Sequence, residues 1–224
     1  MKTLTTLAAA GLMTLSGAAF AAPVVERVRG TIETADGTTL TIRTVDGATE
    51  TVDVGGAKFA WVVKSSLDQI RDGVFIGTAT KGENPMTALE VVLFPEAMRG
   101  TGEGHYGWDS IADQTGGGAK VKSSMTNGTV KAGTEAPKVK SAMTNATVSG
   151  SKDSGGAKTL QVSYGKDGTK TIEVPPTAPV VAFEPADKAI VTPGAKVFAV
   201  VAKDGGKAEG RFVAVGKDGL TPPM

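Results

Sequence analysis

Hydrophobic and polar residues alternate one by one in two stretches of this chain, about 120 residues apart. Period-two alternation is typical of strands with one buried face. The first stretch runs from Gly30 to Pro95 and the second from Thr147 to Val215. The matched apolar positions are Leu40 and Leu160, Ile42 and Val162, Val52 and Ile172, and Val54 and Val174. Their nearly constant spacing predicts that the chain contains the same β unit twice, with these residues pointing inward.

Turn and helix signals divide both copies in the same way. Asp46-Gly47 and Asp167-Gly168 separate alternating runs, and an Asp-Gly pair favours a tight hairpin turn. Residues 65–70 and 185–190 carry residues suited to the start of a short helix, and a glycine follows each segment. Three strands, a short helix and two strands is the order of an OB-like barrel. The predicted fold is therefore all-β, with two tandem small OB-like antiparallel β-barrels, each with one short helix, joined by a Gly-rich segment.

This pattern divides the chain into five parts. They are a signal peptide at 1–21, a first barrel at 24–98, a connecting segment at 99–146, a second barrel at 147–218 and a flexible tail at 219–224. Aromatic residues are expected to fill both barrel interiors. They are Phe59, Trp61, Phe75 and Phe94 in the first copy and Phe183, Phe198 and Phe212 in the second.

The connecting segment is rich in Gly, Ser, Thr and Lys and buries too little apolar surface to fold alone. It contains one block twice, KVKSSMTNGTV from Lys120 and KVKSAMTNATV from Lys138. Only the later block runs directly into the second barrel. Met143–Val148 is therefore predicted to enter that sheet, while Met125–Val130 stays outside it or pairs weakly. Deletion of 120–137 is accordingly expected to leave thermal stability almost unchanged.

The first residues have the pattern of a secretory signal peptide. Lys2 is basic, Leu4–Leu15 is apolar, and Ala19-Phe20-Ala21 fits an A-x-A cleavage site. The apolar run is shorter than the roughly 20 residues that span a bilayer, and no later run is longer. The predicted location is the periplasm, with no transmembrane segment in the mature chain.

Cysteine content and charge narrow the classes of function. The chain has no cysteine, which excludes a lipoprotein anchor, disulfides, thiolate metal sites and cysteine nucleophiles. Loss of Lys2 with the signal leaves 23 basic and 23 acidic residues. A balanced charge gives no broad attraction to nucleic acid, so the expected partner is an envelope protein or a small ligand.

Candidate chemistry concentrates in the segment RGTGEGHYGWD, from Arg99 to Asp109. In an extended chain one face carries acids and the imidazole, and the other carries aromatic rings. The candidate metal ligands are Glu103, His105, Asp109 and, from the later block, Met143; the candidate contact residues are Arg99, Tyr106 and Trp108. Such ligands suit Cu⁺, Cu²⁺ or Zn²⁺. The alternative is that the imidazole anchors a loop whose aromatic rings pack on a barrel as a lid.

No catalytic signature accompanies these residues. His105 is the only imidazole, and neither a G-x-S-x-G elbow nor an S-x-x-K motif is present. No catalytic or cofactor-binding residue is therefore predicted. The expected function is a non-enzymatic binding or envelope-interaction protein. The alternatives are a periplasmic metal-binding protein, copper first, and an unrecognised hydrolase.

The segments RGTGEGHYGWD and SAMTNATV together resemble a family of exported proteobacterial proteins of unknown function. The repeats also resemble OB-like modules of bacterial envelope proteins. Some members of that family are labelled metal-transporter permease, a label that is not expected to apply to a chain without membrane spans after Ala22. This chain differs in having the KVKSxMTN block twice, so a role of Met143 would be shared with Met125.

Overall fold

A computed structural model describes residues 22–131 and 156–224 of the chain. The described residues form strands joined by turns and by single turns of 3-10 helix. The strands are β1 (Val24–Asp36), β2 (Thr39–Thr44), β3 (Thr49–Asp53), β4 (Lys58–Lys64), β5 (Phe75–Lys81), β6 (Met86–Ala88), β7 (Val91–Leu93), β8 (Gly104–Gly107), β9 (Ile111–Ala112), β10 (Lys120–Val121), β11 (Ser124–Lys131), β12 (Lys158–Tyr164), β13 (Gly168–Val174), β14 (Val180–Ala186), β15 (Lys196–Asp204) and β16 (Lys207–Gly216).

The all-β prediction is confirmed, and the predicted short helices are only 3-10 turns. These turns are Leu67–Gln69, Glu96–Met98, Lys188–Ile190 and Lys217–Gly219. The third is capped by the Asp187 carboxylate, which accepts a hydrogen bond from the backbone N–H of Ala189 at 2.8 Å. Within the described ranges, no helix has the length and hydrophobicity needed to cross a membrane.

Strand pairing closes five strands into a first ring. β1 pairs with β2 and β15, β2 pairs with β3, and β16 pairs with both β3 and β15. We call this set ring one. Aliphatic side chains fill its interior, among them Ile32, Leu40, Ile42 and Val213, each at most 1 % exposed.

A second ring repeats the arrangement. β11 pairs with β12 and β5, β12 pairs with β13, and β6 pairs with both β13 and β5. We call this set ring two. Its interior holds Ile76, Leu160, Val162 and Ile172, each at most 2 % exposed. All eight matched residues of the repeat are buried in one of the two rings, as their alternation predicts.

Each ring takes strands from both sequence repeats. Ring one combines β1, β2 and β3 of the first repeat with β15 and β16 of the second, and ring two combines β5 and β6 with β12 and β13. Pairing therefore runs across the predicted boundaries of 24–98 and 147–218. The physical reason is that the repeats present the same pattern of inward side chains, so strands of one copy can complete a ring begun by the other.

The strands β4 and β14 join the rings. They pair antiparallel, with Val62 opposite Phe183, and their outer neighbours are β16 and β7. This pairing connects the rings into one 14-stranded sheet. The short β9–β10 hairpin forms a separate two-stranded sheet.

The earlier KVKSxMTN block is a full member of the sheet, so the prediction that Met125–Val130 stays outside is wrong. β11 pairs with β5 along Ser124–Thr129 and with β12 along Thr129–Lys131. The prediction for Met143–Val148 falls on residues outside the described ranges. The prediction relied on the later block running directly into the second repeat. The residue that identifies the strand position is instead a glycine of the earlier block.

Gly128 lies against the backbone of Ser163, where an added Cβ would overlap the carbonyl oxygen. Gly30 lies against Arg43 in the same way at the matching place in ring one. The segments Gly30–Ile32 and Gly128–Val130 therefore occupy equivalent positions. The later block carries Ala146 where the earlier one carries Gly128, so only the earlier block has a glycine for this close approach.

We expect Gly128→Ala to destabilise the protein by about 1–3 kcal/mol, because the new methyl group must displace neighbouring backbone. Urea unfolding followed by circular dichroism would measure the change. The matched control is Gly107→Ala on β8, where an added Cβ meets no atom within 4 Å. Equal stability of the two variants would contradict the assignment of the earlier block to this strand position.

Candidate functional site

The segment that carries the candidate chemistry lies across both rings. β8 pairs with β11 of ring two, placing His105 opposite Thr126 and Tyr106 opposite Met125. Trp108 and Asp109, just beyond β8, contact β1 of ring one. The segment therefore connects the two rings, which the β4–β14 pairing also joins.

Arg99 holds the start of this segment. Its guanidinium binds the Glu96 carboxylate through two hydrogen bonds, at 2.6 and 2.7 Å, and also donates to the Gly73 carbonyl at 2.9 Å and to Oγ1 of Thr129 at 3.1 Å. The hydrogen bonds from Arg99 lower the pKa of the Glu96 carboxyl below its ordinary value. All these partners belong to the same chain, so Arg99 serves as a loop anchor.

Glu103 and His105 attach the segment to ring two. The Glu103 carboxylate accepts a hydrogen bond from the backbone N–H of Gly165 at 2.9 Å. Nδ1 of His105 lies 2.8 Å from Oγ1 of the fully buried Thr126. Burial, and to a lesser extent the charge of Lys170, lowers the pKa of His105 below its ordinary value. The imidazole is therefore neutral at pH 7.

Trp108 and Asp109 attach the segment to ring one. The two oxygens of the Asp109 carboxylate each bind one guanidinium, Arg27 at 2.9 Å and Arg29 at 2.7 Å. The Arg27 guanidinium also lies over the Trp108 ring, 3.8 Å from the ring centroid. Oγ of Ser123 donates to the Asp109 carbonyl at 2.7 Å. Charge-assisted bonds of this kind are among the stronger ones in proteins, so Asp109 is firmly held.

The structure gives the three candidate metal ligands separate partners. Glu103 binds a backbone N–H, His105 faces a threonine hydroxyl, and Asp109 binds two arginines. Among the residues that the structure describes, no group of three or more His, Asp or Glu side chains is placed to hold a metal ion. Met143 lies outside those residues. The copper or zinc site therefore stays a prediction without geometric support.

A groove between the rings lies beside this segment and has a volume of about 790 Å³. Its floor is the outer face of the strands around β4 and β14, and residues 97–108 form one wall. Aromatic side chains dominate its lining. They are Phe59, Phe94, Tyr106, Trp108, Phe183, Phe198 and Phe212.

Several of these rings pack edge to face across the floor of the groove. Phe94 and Phe183 have centroids 5.1 Å apart, as have Phe183 and Phe212, and Phe75 continues the row 5.5 Å beyond Phe94. The prediction that the aromatic residues fill the barrel interiors is wrong for Phe94, Phe183, Phe198 and Phe212, which form a separate core outside the rings. Aliphatic side chains already fill the narrow ring interiors.

The sequence predicts that residues 99–110 lie in a groove between two barrels, but not that phenylalanines line it, although the sequence holds a signal for this lining. In β15, Val197, Ala199 and Val201 pack inside ring one, while Phe198 and Val200 pack on the opposite face. A strand that is apolar at every position indicates burial on both faces. The unbroken run VFAVVA therefore marks a second packing surface.

The groove is cationic at its rim, and the part of its lining that the structure describes contains no acidic side chain. Arg27, Lys58 and Arg211 are its charged lining residues. Asn127, only 6 % exposed, and the Trp108 indole also line it. The amide oxygen of Asn127 and Nε1 of Trp108 are buried without a hydrogen-bond partner among the described residues. The surface thus offers aromatic area, positive charge and a few polar groups.

A buried charge cluster also involves Arg29. Its Nε donates to the Met224 carbonyl at 2.6 Å, and Met224 is buried although it lies in the predicted flexible tail. Glu90 is 1 % exposed, and neither of its carboxylate oxygens has a hydrogen-bond partner among the described residues. Burial raises the pKa of Glu90 to about 8, and the charge of Arg29 partly opposes the shift. Glu90 is therefore mainly protonated at neutral pH.

Comparisons of the chain with protein-family profiles, curated proteins and solved structures found no match.

If the carboxylates and the imidazole are structural, Cu⁺ and Zn²⁺ titrations should give the same weak response with wild type and His105→Ala, because each side chain already has a partner in the chain. Isothermal calorimetry measures both. His105→Asn is the matched control, since it keeps a polar group facing Thr126. Tight binding that His105→Ala abolishes, and that weakens as the imidazole takes up a proton, would contradict this expectation and support the metal hypothesis.

We expect Glu90→Gln to stabilise the protein at alkaline pH more than at acidic pH. A glutamate of the unfolded chain ionises near its ordinary pKa of 4.5, whereas folded Glu90 ionises near 8. Stability should therefore fall as pH rises through this interval, by on the order of 1.4 kcal/mol per unit of pKa difference. Glutamine cannot ionise, so the loss should disappear. Urea unfolding at several pH values tests this, with the exposed Glu173→Gln as control; identical pH profiles for the two variants would contradict it.

Proposed function

We propose that this chain is an exported, non-enzymatic binding protein built from two OB-like barrels. We further propose that the groove between them holds an apolar molecule with an acidic end. The observation that carries the proposal is the aromatic groove with a cationic rim and, among the described residues, no acidic side chain in its lining.

The pairing order supports the barrel part of the proposal. In ring one the strands follow the order β1, β2, β3, β16, β15 and return to β1, and β16 runs parallel to β3. In terms of strand position within one unit, this order is 1-2-3-5-4, a five-stranded Greek-key arrangement of the kind that OB folds use. Ring two follows the same order, and its β6 runs parallel to β13.

The size and lining of the groove support small-molecule binding. Ligand sites usually have volumes of about 300–1,000 Å³ and combine apolar walls with a few polar groups. The groove, at about 790 Å³, lies within this range. Five of its lining residues are phenylalanines, and among its polar groups the Asn127 amide donates to the Tyr106 hydroxyl at 3.4 Å. An elongated apolar body can lie along the phenylalanines.

The rim charges support an acidic end on the ligand. Lys58 has no ion-pair partner among the described residues, and Arg211 pairs only with the exposed Glu209, at 3.2 Å. Arg27 is bound to Asp109 through Nη1 alone. The described lining contains no acidic side chain, so an anionic group at the rim meets cationic side chains, of which Arg27 and Arg211 already pair with acids next to the groove.

Two fluorescent probes of similar shape test the site. 8-Anilinonaphthalene-1-sulfonate is an apolar anion, and N-phenyl-1-naphthylamine is its neutral counterpart. We expect both probes to bind wild type and to bind Phe212→Ala more weakly, because that change removes an aromatic side chain from the groove floor. Val45→Ala is the control, since Val45 is 69 % exposed and lies outside the groove. Equal binding to both variants would show that the groove is not the site.

The charge requirement is tested separately. We expect the double variant Lys58→Glu/Arg211→Glu to weaken the anionic probe about tenfold, a change of roughly 1.4 kcal/mol, and to leave the neutral probe within about twofold. The matched control Lys166→Glu/Lys207→Glu makes the same change in net charge at exposed sites outside the groove. If the control weakens the anionic probe equally, the effect is one of net charge and the rim plays no specific part.

A further inference from the structure

We propose that the outer edge of β1, at Val24–Val28, is a docking site for an extended segment of another protein, which adds to ring one as a further strand. The inference is independent of the small-molecule groove, because it rests on backbone pairing and on the comparison of the two rings.

The strands β1 and β11 hold equivalent places in the two rings. β1 pairs with β15 on one edge and with β2 on the other, and β11 pairs with β5 and β12 in the same sense. Gly30 and Gly128 mark the same point, since each makes the close approach to the neighbouring strand. Counting back from these glycines, Arg29 corresponds to Asn127 and Arg27 to Met125.

In ring two the first half of this strand is covered on its outer edge. β8 pairs there with β11, from Ser124 opposite Gly107 to Asn127 opposite Gly104. In ring one, β2 joins β1 only from Gly30 onward, and within the described residues no strand pairs with the outer edge of Val24–Arg29. Ring one therefore lacks the strand that ring two has at this place.

The direction of the free backbone groups follows from one hydrogen bond. The N–H of Val45 donates to the Arg29 carbonyl at 3.0 Å, so the backbone groups of Arg29 face the outer edge. Because N–H and C=O groups alternate in direction along an antiparallel strand, those of Val25 and Arg27 face the same way. They make no backbone hydrogen bond on that side among the described residues. Such an edge is a template for an added strand.

The burial of side chains agrees with a missing neighbour. In ring two, Ser123, at the place of Val25, is 3 % exposed, and Met125 and Asn127 are 5 and 6 % exposed. The ring-one equivalents of Met125 and Asn127 are Arg27 and Arg29, whose side chains are 22 and 21 % exposed. In ring one, Val24 and Val25 are 61 and 57 % exposed, and Val45, which follows β2, is 69 % exposed. These three valines are three of the four large hydrophobic residues that the described part of the chain exposes. Val24 and Val25 lie on the open half of β1, one on each face, and Val45 lies beside Arg29.

The side chains of β1 indicate the chemistry of the partner. Val25 and Arg27 point to the same face and line the groove rim. Residues opposite each other on paired strands share a face, so an apolar residue fits opposite Val25 and an acidic residue opposite Arg27. Nη1 of Arg27 binds Asp109 and its guanidinium stacks on the Trp108 ring, with the side chain 22 % exposed, so an acid opposite Arg27 would add to this cluster. The partner segment is therefore extended, β-prone and alternating, with an acid two residues before an apolar side chain.

The test uses the full mature chain and the synthetic peptide TVTETVT, which places Glu opposite Arg27 and Val opposite Val25 in an antiparallel pairing. Amide hydrogen exchange is followed by NMR. We expect the Val25 and Arg27 amides to exchange rapidly in the free protein and at least about tenfold more slowly with saturating peptide. The peptide TVTETPT, in which proline removes the N–H that would bond the Val25 carbonyl, should give no slowing.

Two variants locate the binding to this edge. Val25→Pro removes the outward N–H and should weaken the peptide about tenfold or more, whereas Val25→Thr keeps it and should bind as wild type. Unchanged amide shifts outside β1 would show that Val25→Pro is folded. The exchange measurement on the wild-type protein does not depend on this variant.

Three outcomes would overturn the proposal. The first is equal peptide binding to Val25→Pro and Val25→Thr, and the second is no slowing of exchange at millimolar peptide. The third is protection of the Val25 and Arg27 amides in the free protein, which would show that another part of the chain or a second copy already covers the edge. Dependence of that protection on protein concentration would distinguish a second copy from an intramolecular occupant.

Discussion

The antiparallel pairing of β4 with β14 is the contact on which the rest of the structure depends. β4 carries the chain from ring one to ring two, and β14 carries it back. Both crossings lie side by side, with Val62 opposite Phe183. Because β16 and β7 flank this pair, the two rings share one continuous sheet. The outer face of that sheet is the floor of the groove, so the exchange of strands between repeats also creates the groove.

The sequence predicts the inward-facing residues well, because alternation depends only on local burial. Leu40, Ile42, Leu160 and Val162 all point into a ring, as their period indicates. The choice of partner strand is not predictable in this way. Since both repeats present equivalent inward surfaces, either copy can supply the last two strands of a ring, and local patterns are the same in both cases.

The choice between the two KVKSxMTN blocks shows a different limit. Contiguity favours the later block, yet the structure places the earlier one in the sheet. Gly128 lies where an added Cβ would overlap the neighbouring backbone, and the later block carries Ala146 at the matching sequence position. The sequence shows the glycines Gly30 and Gly128, but their common role is recognisable only when the strands that approach them closely are known.

The candidate chemistry of residues 99–109 proves to be mainly a means of attachment. Glu103 binds ring two and Asp109 binds ring one, so the polar residues that suggest a metal site instead hold the segment across both rings. What the segment brings to the groove is Tyr106 and Trp108. The aromatic residues that complete the groove come from outward positions of six different parts of the chain, which no local motif brings together.

Comparison of equivalent positions in the two rings shows where the duplication has diverged. Inside the rings the matched residues are of one kind, such as Ile42 and Val162. On the outer face, Arg29 lies opposite Phe198 in ring one, whereas Asn127 lies opposite Gly77 in ring two. The missing side chain at Gly77 leaves room for Asn127 and Phe94, while Arg29 lies over the Phe198 ring, 5.3 Å from its centroid. Packing restricts the inner residues equally in both copies, so specialisation is confined to the outer face. The groove is accordingly cationic on the side of ring one and carries a neutral amide on the side of ring two, a polarity suited to orienting a ligand whose two ends differ in charge.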